Sequence, residues 1–133
     1  MLNQKPVLIV EDNVYLALDL SCAVEDMCGR VVGPTRTAAE AIELLRSEPV
    51  AAAILDCQLA DDELEPLAGR LAQLQVPFII HTASHPPACI RANHPDIPVL
   101  FKPLQPSAVL AACWSRSPRP PSTVAPADRA ERA

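Results

Sequence analysis

An open parallel β-sheet with helices on both faces is the fold this sequence predicts, and three observations predict it. Short unbroken apolar runs, such as PVLIV at 6–10 and AAAIL at 51–55, read as strands covered on both sides. Between such runs, apolar residues recur at helical spacing. The alternation of strand and helix through five strands is that of a doubly wound five-stranded α/β domain. One slot breaks the pattern. Residues 83–97 contain Pro86, Pro87 and Pro95 and little that is apolar, so a weak or irregular fourth helix is expected there.

The first strand, 6–10, stops at Glu11, Asp12 and Asn13. Ala17, Leu20, Val24 and Met27 then fall on one stripe of a helix, and Gly29 is placed to end it as a cap. RVVG, at 30–33, is a second short strand closed by Gly33-Pro34. Thr37 followed by Glu40 is a capping-box pattern, opening a helix to about Ser47 with Ile42 and Leu45 inward. The strand 51–55 delivers Asp56. A helix from about Glu65 follows, with Pro66 in its first turn and Leu64, Leu67, Leu71 and Leu74 as its stripe. PFIIHT (77–82) is a fourth strand ending at Thr82, and PVLFKP (98–103) a fifth ending at Lys102. At most a turn or two of helix fits around Ala88–Asn93, and 107–114 forms a short last helix. Beyond Trp114 the chain is Pro-rich and polar. The expected organisation is one domain at 1–114 and a disordered tail at 115–133.

Composition narrows the function classes. Half of the residues are hydrophobic but only four are Phe, Tyr or Trp, so the core is aliphatic. A net charge of −5 argues against DNA as a partner, because phosphate binding wants a basic surface. No segment approaches the ~20 apolar residues of a membrane helix, and MLNQKP is too little for a secretory signal. Five cysteines at irregular spacing fit a reducing compartment and small buried hydrophobes better than a disulfide framework. The expected location is the cytoplasm.

Chemistry concentrates at the strand ends: Glu11 and Asp12, Asp56, Thr82, and Lys102. In an open parallel sheet the carboxyl ends of the strands share one edge, where ligands bind, so these residues are expected to converge. Three carboxylates crowd together only when a cation neutralises them, and an oxygen-rich site suits Mg²⁺. With Asp56 as nucleophile, such a cation and Lys102 balance the charge on a transferring phosphoryl group, and Thr82 offers its hydroxyl to the product. This use offsets the cost of burying an ionised carboxylate at a strand end.

In this order the motifs resemble the receiver domain of bacterial response regulators, a flavodoxin-like fold. VLIVEDN is similar to the family's first strand with its acidic pair, AAILD to its phosphoacceptor strand, HTAS to its Thr/Ser strand and FKP to its Lys-Pro motif. The resemblance covers residues 5–114. It implies that a sensor histidine kinase phosphorylates Asp56, and that Lys102 contacts the phosphoryl group. It also implies that Asp12 ligates Mg²⁺ directly and Glu11 through water, with Asp56 and the main-chain carbonyl of Gln58 as further ligands. The Lys102–Pro103 bond is expected to be cis. The protein is then no enzyme in the ordinary sense, since it accepts a phosphoryl group and at most loses it to water.

Two departures bear on output. The loop Cys57-Gln58-Leu59-Ala60 lacks the proline usual four residues after the phosphoacceptor. Val99 stands where the family has an aromatic that swings inward with the Thr82 counterpart. VPFIIHTAS and IPVLFKPL are instead similar to a subgroup of single-domain receivers called FATGUY, although Ala83-Ser84 replace its Gly-Tyr. That subgroup lacks the aromatic and has a poorly helical fourth segment. A stand-alone regulator acting by protein contact is the expectation, with phosphorylation drawing Thr82 inward and ordering 83–97.

Other readings share parts of the pattern. A phosphorelay intermediate or phosphate sink uses the same chemistry with a histidine phosphotransfer protein as partner. A phosphatase with an aspartate nucleophile wants a second carboxylate two residues on, where Gln58 stands. A pseudo-receiver, a binding module that never reacts, fits the irregular loop 57–62 but not the intact set of acids, Thr82 and Lys102. Taken singly, Asp12 reads as a solvated or capping residue and Thr82 as a β-former. His81, His85, Cys89 and His94 match no common zinc spacing. Cys57, beside three carboxylates, is expected to have a raised thiol pKa.

Overall fold

Alternation along each strand decides which helix covers which face. The computed structural model describes residues 2–59, 61 and 63–115. In chain order these form β1 (Pro6–Val10), α1 (Val14–Asp26), β2 (Arg30–Thr35), α2 (Ala38–Leu45), β3 (Ala52–Leu55), α3 (Leu64–Gln73), β4 (Phe78–Thr82), α4 (Ala88–Asn93), β5 (Val99–Phe101) and α5 (Pro106–Ser115). The strands make one sheet in the order β2-β1-β3-β4-β5, with every neighbouring pair parallel. Leu8, Val10, Ala53, Leu55, Phe78 and Ile80 point to one face and meet α2, α3 and α4 through Ala41, Leu67, Leu71 and Ile90. Val7, Ile9, Ala52, Ile54 and Ile79 point to the other and meet α1 and α5 through Leu20, Val24, Val109 and Leu110. The central strands are thus buried on both sides, which is why their sequences read as unbroken apolar runs. The chain leaves β1 and β3 in opposite directions along the sheet, and this opens a crevice at their carboxyl ends.

The element ends differ from expectation in instructive ways. α1 closes in a Schellman arrangement, Gly29 N–H donating to Val24 O (2.8 Å) and Cys28 N–H to Glu25 O (2.9 Å). The left-handed residue is Cys28 (φ 63), not Gly29. Gly29 is needed for close approach instead: a Cβ there would lie 2.6 Å from Leu2 Cδ1 and 2.8 Å from Val24 Cγ1. α3 ends alike, with Gln75 left-handed (φ 59) and Val76 N–H donating to Leu71 O (2.9 Å). Leu74, expected inward, caps that helix and is 41% exposed.

β2 does not stop at Gly33-Pro34. It bulges there, two residues opposite Ile9 alone, and rejoins β1 at the Val10–Thr35 pair. Gly33 sits at φ 93, and a Cβ on it would meet Thr35 N at 2.8 Å. α2 opens as expected, Glu40 N–H donating to Thr37 Oγ1 (3.2 Å), while Glu40 Oε1 accepts from Arg36 N–H (3.2 Å). Thr37→Ala should lower stability by about 1 kcal/mol, read as a shift of the urea midpoint at constant m-value. α4 is a single short helix of six residues without a side-chain cap, in agreement with the weak fourth segment. The tail expected at 115–133 lies outside the described residues, except that Ser115 closes α5.

Candidate functional site

Glu11, Asp56 and Lys102 each stand one residue beyond a strand, and each still takes the next rung of the sheet. Glu11 N–H donates to Thr35 O (2.9 Å), Asp56 N–H to Val10 O (2.9 Å) and Lys102 N–H to Thr82 O (2.8 Å). These rungs hold the backbone so that the three side chains converge over the crevice. Lys102 Nζ lies 3.1 Å from Glu11 Oε1 and 3.4 Å from Asp56 Oδ2. Glu11 is 2% exposed and Asp56 4%. Their other oxygens are also engaged: Asn13 N–H donates to Glu11 Oε2 (3.0 Å) and Gln58 N–H to Asp56 Oδ1 (3.2 Å).

Two buried carboxylates facing one ammonium leave a surplus of negative charge. Burial pushes the Glu11 carboxyl above its usual range; the Asn13 N–H opposes this, the Asp56 charge adds to it, and Lys102 opposes it again. Such a surplus in an oxygen-lined crevice fits a hard divalent cation. Asp12 does not join the cluster as expected. Half-exposed, its Oδ1 lies 3.6 Å from an Arg36 guanidinium nitrogen. No three acidic, histidine or cysteine side chains among the described residues are already gathered as metal ligands. The reason is repulsion: a third carboxylate with access to solvent takes the nearest positive partner rather than face two others. Asp12 would reach a cation in the crevice by releasing Arg36, an exposed ion pair worth only ~0–1 kcal/mol.

Thr82 closes β4 and is fully buried; its Oγ1 accepts from Ser84 N–H (3.2 Å), and its hydroxyl lies against the Cys57 thiol. Burial pushes that thiol up in pKa, Thr82 opposes, and the Asp56 charge adds a smaller upward push. The direction is as expected, but desolvation rather than neighbouring carboxylates is its main cause. Gln58 is exposed at the crevice rim. The Lys102–Pro103 bond is cis, as is Gly33–Pro34. Of the cysteines, Cys57 and Cys113 are buried, but Cys22, Cys28 and Cys89 are exposed, contrary to the expectation of buried thiols. His85 meets Phe101 edge-on (5.7 Å), and His94 meets Phe78 (5.6 Å).

Three residues bear on the site without having been singled out for it. Arg36 holds Asp12. His81 lies beside Thr82 on β4, 2% exposed, with neither ring nitrogen hydrogen-bonded among the described residues; burial, and then Lys102, lower its pKa, while Asp56 raises it. Asp61 accepts from Ala38 N–H (3.1 Å) and Ala39 N–H (2.9 Å) at the start of α2. Although burial works to raise its pKa, the bonds from Ala39, Ala38 and Glu63 N–H hold the carboxyl below its usual value. A carboxylate shortly after a strand end, with a helix start elsewhere lacking two caps, is the only hint the sequence offers.

No family model matches the chain. The phyllosphere-induced regulator PhyR of Methylorubrum extorquens is 35% identical over 109 residues, 79% of this chain, which spans 40% of that protein. A PhyR mutant of Bartonella quintana, described as an anti-anti-sigma factor, is 28% identical with a TM-score of 0.63 over 80% of this chain and 45% of its own. The response regulator receiver domain of Erythrobacter litoralis PhyR superposes with a TM-score of 0.68 at 25% identity, covering 91% of this chain and 98% of that one. SdrG of Pseudomonas melonis Fr1, solved in a BeF3-activated conformation, is 32% identical over 84% of this chain and 98% of its own, with a TM-score of 0.66. The chain belongs to the response regulator receiver family. In this receiver the crevice holding Glu11, Asp56 and Lys102 is the place where the doubly wound sheet would bind a ligand. No helix among its described residues is long and apolar enough to cross a membrane.

Proposed function

We propose that this receiver is a Mg²⁺-dependent phosphoacceptor, taking a phosphoryl group from a sensor histidine kinase onto Asp56 and signalling by protein contact. The observation that carries it is the Lys102 ammonium, 3.4 Å from Asp56 and 3.1 Å from Glu11 at the carboxyl edge of the sheet. An Asp56 oxygen attacks phosphorus; a P–O bond forms as the P–N bond to the donor imidazole breaks, and the imidazole keeps the electron pair and takes up a proton. Gln58 N–H steadies Oδ1, while Lys102 stays beside the developing charge. Glu11, Asp12, Asp56 and the Gln58 carbonyl would hold Mg²⁺, which when bound supplies the positive charge that phosphoryl transfer requires. Attack of water on phosphorus later breaks the P–O bond to Asp56, releasing inorganic phosphate and returning the free carboxylate.

SdrG has a BeF3-activated conformation, which supports the same use of Asp56 here. The likeness to a protein described as an anti-anti-sigma factor favours a pathway that ends on a regulator of sigma factors, reached through protein contact. Thr82 Oγ1 accepts from Ser84 N–H, so a move of its hydroxyl toward the phosphoryl group would bear on the start of segment 83–97. Segment 83–97 carries the six-residue α4, and the proposed change lies in how that segment sits.

Incubation with a small phosphodonor and Mg²⁺, followed by intact mass, tests the reading. Wild type should gain one phosphate and Asp56→Asn none, and chelation of Mg²⁺ should prevent the gain. An unmodified wild type would favour the pseudo-receiver, and steady consumption of donor without a persistent adduct would favour a phosphatase.

A further inference from the structure

We propose that Asp61 is a positioning residue that fastens the loop after Asp56 to the first turn of α2, so that one corner of the molecule holds both that loop and Asp12. The leading N–H groups of a helix have no partners within it. In α2 the Glu40 N–H is taken by Thr37 Oγ1 from the same turn. The two N–H groups before it are taken by one carboxylate from elsewhere in the chain, Ala38 donating to Asp61 Oδ1 and Ala39 to Oδ2. The positive end of the helix favours a carboxylate there.

The same corner reaches the site from its other side. Arg36, two residues ahead of Ala38, meets Asp12 Oδ1 at 3.6 Å, and its N–H is held by Glu40 Oε1. Between Asp56 and Asp61 the loop is gripped again, since Cys57 and Leu59 are buried. Gln58, exposed between them, donates its N–H to Asp56 Oδ1 and carries the carbonyl assigned above to cation binding. A loop pinned at β3 and at α2 has little freedom to carry that carbonyl elsewhere. Such supporting contacts hold a ligand in place before the ion arrives. The consequence for cation binding rests on the phosphoacceptor reading; the tie itself does not.

The test compares the full chain as wild type, Asp61→Ala, Asp61→Asn and Thr37→Ala. Thr37→Ala removes a cap from the same turn without touching the loop, so it controls for loss of helix stability alone. Amide exchange is read at Ala38, Ala39 and Gln58 without added cation, and Mg²⁺ affinity by titration followed through amide chemical shifts. Asp61→Ala should speed exchange at all three amides and weaken Mg²⁺ binding about tenfold, the lower end for loss of a ligand's supporting contact. Asp61→Asn, which keeps one acceptor oxygen, should fall between it and wild type. Thr37→Ala should speed exchange in α2 but leave Gln58 and the Mg²⁺ affinity unchanged. Unaltered Gln58 exchange in Asp61→Ala, or an equal loss of affinity in Thr37→Ala, overturns the proposal. A wild type that binds Mg²⁺ but accepts no phosphoryl group overturns the phosphoacceptor reading while leaving the tie to be judged by exchange.

Discussion

Replacing Lys102 with Met should lower stability by about 3 kcal/mol at neutral pH, the low end for removing one partner of a buried charge cluster. Two carboxylates would then share a crevice in which Glu11 is 2% and Asp56 4% exposed, with no cation beside them. The pH dependence identifies the cause. The Glu11 carboxyl is already raised, chiefly by burial, and loss of the ammonium must raise it further. A carboxyl whose folded pKa exceeds its unfolded one binds more protons when folded, so the variant's deficit against wild type should shrink as pH falls toward the unfolded value near 4.5. Mg²⁺ should also stabilise the variant more than wild type, because it enters where positive charge is missing. Urea titrations between neutral and mildly acidic pH, with and without Mg²⁺, measure all three effects. A deficit independent of both would mean that Lys102 acts through its hydrocarbon stem.

The second large effect comes from His81. Neither ring nitrogen is hydrogen-bonded among the described residues, and the ring is buried beside Lys102 and Asp56. Its pKa is lowered, by burial first and Lys102 second. A base that is harder to protonate when folded binds fewer protons there than in the unfolded chain. Wild-type stability should therefore be full above pH 6.5 and decline as pH falls from there through the folded pKa, by up to ~1.4 kcal/mol per pH unit. Glu11 works in the opposite sense at lower pH, so the decline should flatten below the His81 transition. His81→Leu removes the orphaned nitrogens and the proton together. It should gain about 1 kcal/mol at pH 7.5 and lose the acid decline. Thermal melts of both proteins across that range decide the matter; a parallel decline in the variant would place the titrating group elsewhere.

Much of this molecule is legible in its sequence, for identifiable reasons. The central strands β1 and β3 read correctly because burial on both faces leaves mainly aliphatic residues in them, and α4 because three prolines bracket it. Gly29 marked the end of α1, where its N–H donates to Val24 O, but its need for glycine is steric, since the left-handed residue is Cys28. Gly33-Pro34 looked like a terminus, but a bulge lets β2 continue past it. At the site, Glu11, Asp56 and Lys102 were legible because strand ends carry them to a common edge. Asp12 was not, since its direction depends on Arg36, and nothing in local spacing links those two residues. Asp61 escaped for the same reason: its partners lie 22 and 23 positions earlier in the chain.

β5 has only three residues, none buried, and it is flanked by the six-residue α4, whereas β3 and β4 are buried throughout. The molecule therefore has a stiff spine and one loose margin. Amide protection should fall from β3 outward to β5, with the margin opening long before global unfolding. A protein that closes over that margin would have to immobilise it, and that ordering would cost part of the affinity the new contacts supply. Its association should then show an unfavourable entropy and a heat-capacity decrement larger than rigid contact would produce.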